Sequence, residues 1–126
     1  MTPHVAGMDN MVIQRVHQAV KASLMSENSL EFYWRQFWDE KGATDILCHV
    51  MPYMLYSIKF TCGPNRFICL LFDFRSVPGE MSNVRAQSIT DSNVEKFAQY
   101  LYKQFRQKSY FYKYNTILVP LGDDFR

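Results

Sequence analysis

TILVPLGDDFR, residues 116–126, is a short apolar, partly β-branched run that enters a turn carrying two adjacent carboxylates, Asp123 and Asp124. Continuous apolar runs of this kind form strands buried on both faces, as in parallel sheets. Upstream, Ser92 with Glu95 three residues on has the form of a capping box, and Val94, Phe97, Ala98, Leu101 and Phe105 recur at helical spacing. The pattern predicts a helix over residues 93–112, broken at Asn115, and a strand over residues 116–120. Helix, short loop, apolar strand and acidic turn make one αβ step, so the expected class is α/β. In such folds the carboxyl ends of the strands carry the chemistry, which is where Asp123 and Asp124 stand. A strand needs neighbours on both edges and a catalytic loop needs chain after it, so the 126 residues are expected to be a piece of a larger enzyme.

Further back the elements are shorter. NMVIQ (10–14) reads as an apolar strand ending at Arg15, followed by a weakly helical stretch with Val16, Ala19 and Val20 at helical spacing. In EFYWRQFW (31–38) a strand would set Phe32, Trp34 and Trp38 on one side and Tyr33 and Phe37 on the other, covered on both faces, and a helix is the alternative. An apolar segment over 46–51 is stopped by Pro52, which lacks the donor a central strand requires. From 57 to 88, Gly63, Pro64, Pro78 and Gly79 punctuate the pattern and predict a long irregular excursion around the apolar run 67–74. The sequence shows no internal repeat, low-complexity tract or domain linker.

A chain of 126 residues that is 48% hydrophobic is long enough for one compact domain, burying roughly two thirds of the surface its unfolded form exposes. A formal net charge of +2 with both signs mixed gives no basic stripe, so nucleic acid is not an expected partner. The densest basic stretch, Lys103 to Lys113, reads as the solvent side of a helix. Aromatics at 16% suit a large core and equally a sugar-binding enzyme, since apolar sugar faces pack on rings. No apolar run approaches the ~20 residues of a membrane span, and the first residues lack the pattern of a signal peptide, so this stretch shows no membrane segment and no targeting signal. Cys48, Cys62 and Cys69 are an odd count. The segment CGPNRFIC closes a short loop if its two ends are bridged, which points to an oxidising compartment; two reduced cysteines are the alternative.

Adjacent carboxylates repel, and a partly buried pair splits into one ionised group and one with a raised pKa that can act as a general acid. The alternative is a solvated turn in which Asp caps a following helix. His4, His17 and His49 have no metal-ligand spacing, and His49 reads as a core histidine. There is no GxSxG and no glycine-rich phosphate loop.

Six segments in order, NMVIQR (10–15), LEFYWRQFWDEKG (30–42), HVMPYMLY (49–56), TCGP (61–64), FDF (72–74) and VPLGDDFR (119–126), resemble the class II α-mannosidases of glycoside hydrolase family 38. TCGP and LGDDFR are similar to the Golgi α-mannosidase II branch rather than the lysosomal one. The resemblance covers nearly the whole chain and implies that residues 1–126 are a partial N-terminal catalytic domain, an incomplete segment of an α/β barrel. It implies retaining hydrolysis of α-mannosides on N-glycans by a zinc-dependent enzyme of the Golgi lumen whose parent protein is membrane-anchored. Two carboxyl groups about 5 Å apart carry such a reaction, one as nucleophile and one as acid and then base.

By resemblance Asp124 matches the acid/base, and Asp123 the neighbouring carboxylate that contacts substrate. Arg15 matches an active-site arginine near the nucleophile, where a fixed cation keeps a carboxylate ionised. Tyr56 matches a tyrosine reaching the reaction centre, and Arg126 a site arginine. Cys62 and Cys69 match a family disulfide. The family's nucleophilic Asp, in a DPFGHS-like segment, and its zinc ligands have no counterpart in this sequence, so the chain as given is expected to be inactive and to lack a zinc site. Two departures stand out: Ser57 where the family commonly has Asp after the tyrosine, and Leu70 where it often has a further Cys, leaving Cys48 without a partner in the chain. A non-catalytic glycan- or protein-binding module derived from the same fold is the alternative function.

Overall fold

The computed structural model describes residues 8–73 and 85–122. Within them lie β1 (Asn10–Ile13), α1 (Gln18–Ser26), β2 (Glu31–Trp34), β3 (Ile46–Val50), α2 (Ile58–Thr61), α3 (Arg66–Leu70) and α4 (Val94–Ser109). They divide between two compact units, one formed by Met1–Pro52 with Phe111–Tyr114 and the other by Tyr53–Tyr110 with Asn115–Arg126.

The first unit is built on a small mixed sheet of order β1-β3-β2, with β1 parallel and β2 antiparallel to β3. The centre falls to β3 because its alternation is the cleanest: Ile46, Cys48 and Val50 are wholly buried, while Leu47 and His49 point to the other, half-buried face. Leu30, also wholly buried, accepts a bond from the Val50 N–H at 2.7 Å and donates its own N–H to the Phe111 carbonyl at 3.2 Å. Buried Tyr112 donates its hydroxyl to the Val50 carbonyl at 3.0 Å and stacks on the His49 ring with centroids 4.6 Å apart. His49 is thus engaged in packing at the edge of the core, as its sequence context suggests. The weakly amphipathic α1 is capped by His17, whose Nδ1 accepts from the Ala19 N–H, and its buried Lys21 donates to the Gln14 carbonyl at 2.7 Å.

The aromatic segment departs from expectation. Only its first four residues, Glu31–Trp34, join the ladder, and Tyr33, Trp34, Phe37 and Trp38 are exposed, Phe37 at 99%. After Trp34 the backbone leaves the sheet because a polar loop captures it. Arg35 makes a two-pronged pair with Asp45, at 2.8 and 3.1 Å, and Asp39 accepts from the Lys41 and Thr44 amides. Gly42 turns this loop with φ +70°, and a Cβ there would lie 2.5 Å from Arg35 Nη2.

In the second unit, buried Ile58, Cys62 and Cys69 form a cluster against which Leu101, Phe105 and Val119 pack, and Phe72 meets Phe97 edge-on at 5.8 Å. Three expectations are corrected here. The stretch after residue 57 is not irregular at its start: α2 and α3 form there, closed by a disulfide. The helix runs Val94–Ser109, shorter at both ends than its periodicity predicts. Its N-cap is Asn93 rather than Ser92, and Ser92 Oγ pairs with Thr90 Oγ1 at 2.9 Å instead of closing a capping box. Residues 116–120 form no strand, since the carbonyls that a ladder would use are taken by side chains of the same unit.

Candidate functional site

Asp123, Asp124 and Arg126 lie outside the described residues. The segment that leads into them is described as far as Gly122, and it is held at three successive residues. The Leu118 carbonyl accepts from Lys108 Nζ, the Val119 side chain packs on the Ile58–Cys62–Cys69 cluster, and the Pro120 carbonyl accepts from Thr61 Oγ1 at 2.8 Å. Lys108 Nζ donates a second bond to the Thr61 carbonyl at 2.8 Å. The last turn of α4, the end of α2 and the exit segment are therefore tied through one lysine and one threonine.

Lys108 contradicts the reading of 103–113 as a solvent face. Lys103, Arg106 and Lys113 are exposed, but Lys108 is wholly buried, and burial pushes its ammonium down to about 8. The signal was present in the helical period: Phe97, Leu101, Gln104 and Lys108 follow one another at spacings of four, three and four, on the stripe that faces the core. Counting charges hid it. Gln104 is also buried, and its Oε1 accepts from the Asn65 N–H at 2.8 Å.

The TCGP block supplies the surface against which α4 lies. Thr61 provides both the hydroxyl and the carbonyl described above. Cys62 and Cys69 form the disulfide, with Cα atoms 5.6 Å apart and both residues wholly buried. At Gly63 a Cβ would stand 2.5 Å from Gln104 Cβ and 2.9 Å from its Cα, so only glycine admits α4 this closely. Asn65 then caps α3, its Oδ1 accepting from the Phe67 and Ile68 amides at 3.0 and 3.2 Å.

Arg15 lies in the first unit, exposed, just past the carboxyl end of β1. Tyr56 lies in the second unit, half-buried, immediately before α2. Its neighbour Ser57 is 1% exposed, and among the described residues its Oγ has no hydrogen-bond partner, so it does not cap α2 through its side chain. Cys48 is a free, buried thiol in β3, raised above its ordinary pKa by desolvation. Among the described residues no group of three or more His, Cys, Asp or Glu could hold a metal ion, and no helix is long and apolar enough to cross a membrane.

Residues 3–126 match the N-terminal domain of the glycosyl hydrolases family 38, and the chain belongs to that family. It is 47% identical over 125 residues to alpha-mannosidase 2x of Mus musculus and 46% identical over 125 residues to alpha-mannosidase 2 of Homo sapiens, covering 96% of this chain in each case. Alpha-mannosidase 2 of Drosophila melanogaster is 42% identical over 126 residues. The chain spans 11% of the length of each of these relatives.

Proposed function

We propose that this chain is the segment of a retaining α-mannosidase that carries its general acid/base, Asp124. Asp123, Arg15, Tyr56 and Arg126 contact the mannoside in this reading. The observation that carries it is the family match across residues 3–126, which includes the GDDFR sequence of residues 122–126. The relatives named alpha-mannosidase support the substrate class. The complete protein, in the same reading, is a zinc-containing, membrane-anchored Golgi enzyme with an α/β-barrel domain, acting on mannosides of N-glycans.

Among the described residues no group of three or more His, Cys, Asp or Glu could hold the zinc, and the proton transfers belong to the chain's own carboxyl group. Asp124, protonated, gives its proton to the departing glycosidic oxygen while a carboxylate contributed from outside this chain attacks the sugar carbon. The Asp124 carboxylate then takes a proton from the water that releases the sugar. Arg15 offers a fixed positive charge that favours an ionised carboxylate near it.

The test uses the complete enzyme with Asp124→Asn and Asp123→Asn. A general acid matters in proportion to how poor the leaving group is, so Asp124→Asn should lower kcat/KM on glycan by ~10²–10⁴. It should spare glycosyl-enzyme formation from a dinitrophenyl mannoside, with azide restoring turnover because it needs no base. Asp123→Asn should weaken both substrates alike, as a positioning contact does. Leaving-group dependence and azide rescue in Asp123→Asn alone would reverse the two assignments.

A further inference from the structure

We propose that Lys108 and Thr61 are positioning residues for the general acid: they grip the Leu118 and Pro120 carbonyls and so hold the segment that leads in sequence to Asp124. The inference rests on the reading of Asp124 as the acid/base.

Extended backbone turns alternate carbonyls to the same side. Those of Leu118 and Pro120 are both taken, by Lys108 Nζ and by Thr61 Oγ1, while Val119 between them is held in the core cluster. The same Thr61 closes the circuit by accepting from Lys108 through its own carbonyl at 2.8 Å. A ladder would satisfy these carbonyls without burying an ionisable group. A wholly buried lysine is an expensive way to hold a segment in place, because an amine in an apolar interior loses its hydration, and packing alone would be served by methionine. What the lysine adds is direction. Its bonds fix the segment relative to both α2 and α4 a few residues before Asp123 and Asp124 in the sequence. An acid that must reach one oxygen tolerates little displacement, so a loosened exit segment should damage proton donation before anything else.

The experiment compares Thr61→Val, Thr61→Ser and Lys108→Met in the complete enzyme, with Asp124→Asn alongside, on an alkyl mannoside and a dinitrophenyl mannoside. Thr61→Val and Lys108→Met should lower kcat/KM on the alkyl mannoside by ~10–100-fold and on the activated one by less than ~3-fold. Thr61→Ser, which keeps the hydroxyl, should restore the alkyl activity. Equal losses on both substrates, or none, would show that the two residues serve only the fold and would overturn the proposal. If Lys108→Met fails to accumulate as folded protein, the two Thr61 variants decide the matter, since valine is nearly the shape of threonine. Should Asp124→Asn itself show no leaving-group dependence, the acid assignment falls and the positioning role falls with it. A normal Asp124→Asn signature with flat Thr61 variants removes the positioning role alone.

Discussion

Lys108 holds its ammonium in a wholly buried position where it donates to two backbone carbonyls. Burial depresses its pKa from 10.5 to about 8, so the folded state binds this proton more weakly than the unfolded chain. Stability therefore rises with pH between about 8 and the ordinary lysine value, where the unfolded chain holds the extra proton, and the cost is present in full below that window. The bonds survive the titration, because the neutral amine still has two N–H donors. Tyr53 acts in the opposite sense at higher pH. Burial raises its pKa, so the folded state keeps a proton that the unfolded chain loses, and stability falls once pH passes about 10. The clean comparison is the melting temperature, in the complete enzyme, of wild type against Lys108→Met from about pH 7 to about pH 9.5. At the lower end the methionine variant should be less stable by about 1–3 kcal/mol, since one buried and one partly buried carbonyl lose their donor. The gap should widen as pH rises, and a gap that narrows would mean that the amine is not desolvated.

Among the elements, those with a full amphipathic period were legible. β3 alternates over five residues, and α4 repeats its apolar stripe through Phe97, Leu101 and Phe105. β1 is legible up to Arg15 for the same reason. α2 and α3 were not: four and five residues make about one turn each, too short to show a period or to stand alone. They exist because the Cys62–Cys69 bridge, the Asn65 cap and the contact at Gly63 close them against α4. The strand expected at residues 116–120 misled in the opposite way, because an apolar, β-branched run records burial and not ladder pairing. The resemblance supplied the Cys62–Cys69 disulfide, while the roles it implies for Arg15 and Tyr56 belong to the proposed reading. Lys108 was missed because its charge outweighed its place on the stripe. The close approach at Gly63 gives a prediction at this level. Gly63→Ala must push α4 away from the corner, since the Cβ meets backbone at 2.9 Å and not only a flexible side-chain end. A loss of about 1–3 kcal/mol is expected, read as a lower melting temperature and faster proteolysis after residue 57; an unchanged melt would show that α4 can shift freely.

The chain spans 11% of the length of its relatives, and its surface is rich in uncovered apolar groups. Tyr33, Phe37 and Trp38 in the first unit, and Met54, Tyr102 and Leu121 in the second, are each more than half exposed. Where such groups are contiguous, an exposed apolar patch marks a surface that other protein or a ligand covers. Retaining hydrolysis also needs two carboxyl groups across the scissile bond, one of them a nucleophile. In the proposed reading only the acid/base partner, Asp124, belongs to this sequence. The 126-residue polypeptide on its own should therefore show no turnover of an aryl α-mannoside, even the dinitrophenyl compound that needs no acid, and added zinc should not change this. It should also bind a hydrophobic dye and give weak near-ultraviolet circular dichroism. The two measurements separate two causes of inactivity. A well-packed, monomeric, inactive chain would favour a non-catalytic binding module, because the exposed rings would then be a ligand surface of a stable fold. Zinc-dependent turnover above a buffer blank would mean that a nucleophile lies within these residues, and the assignment of Asp124 as one half of a divided pair would have to be abandoned.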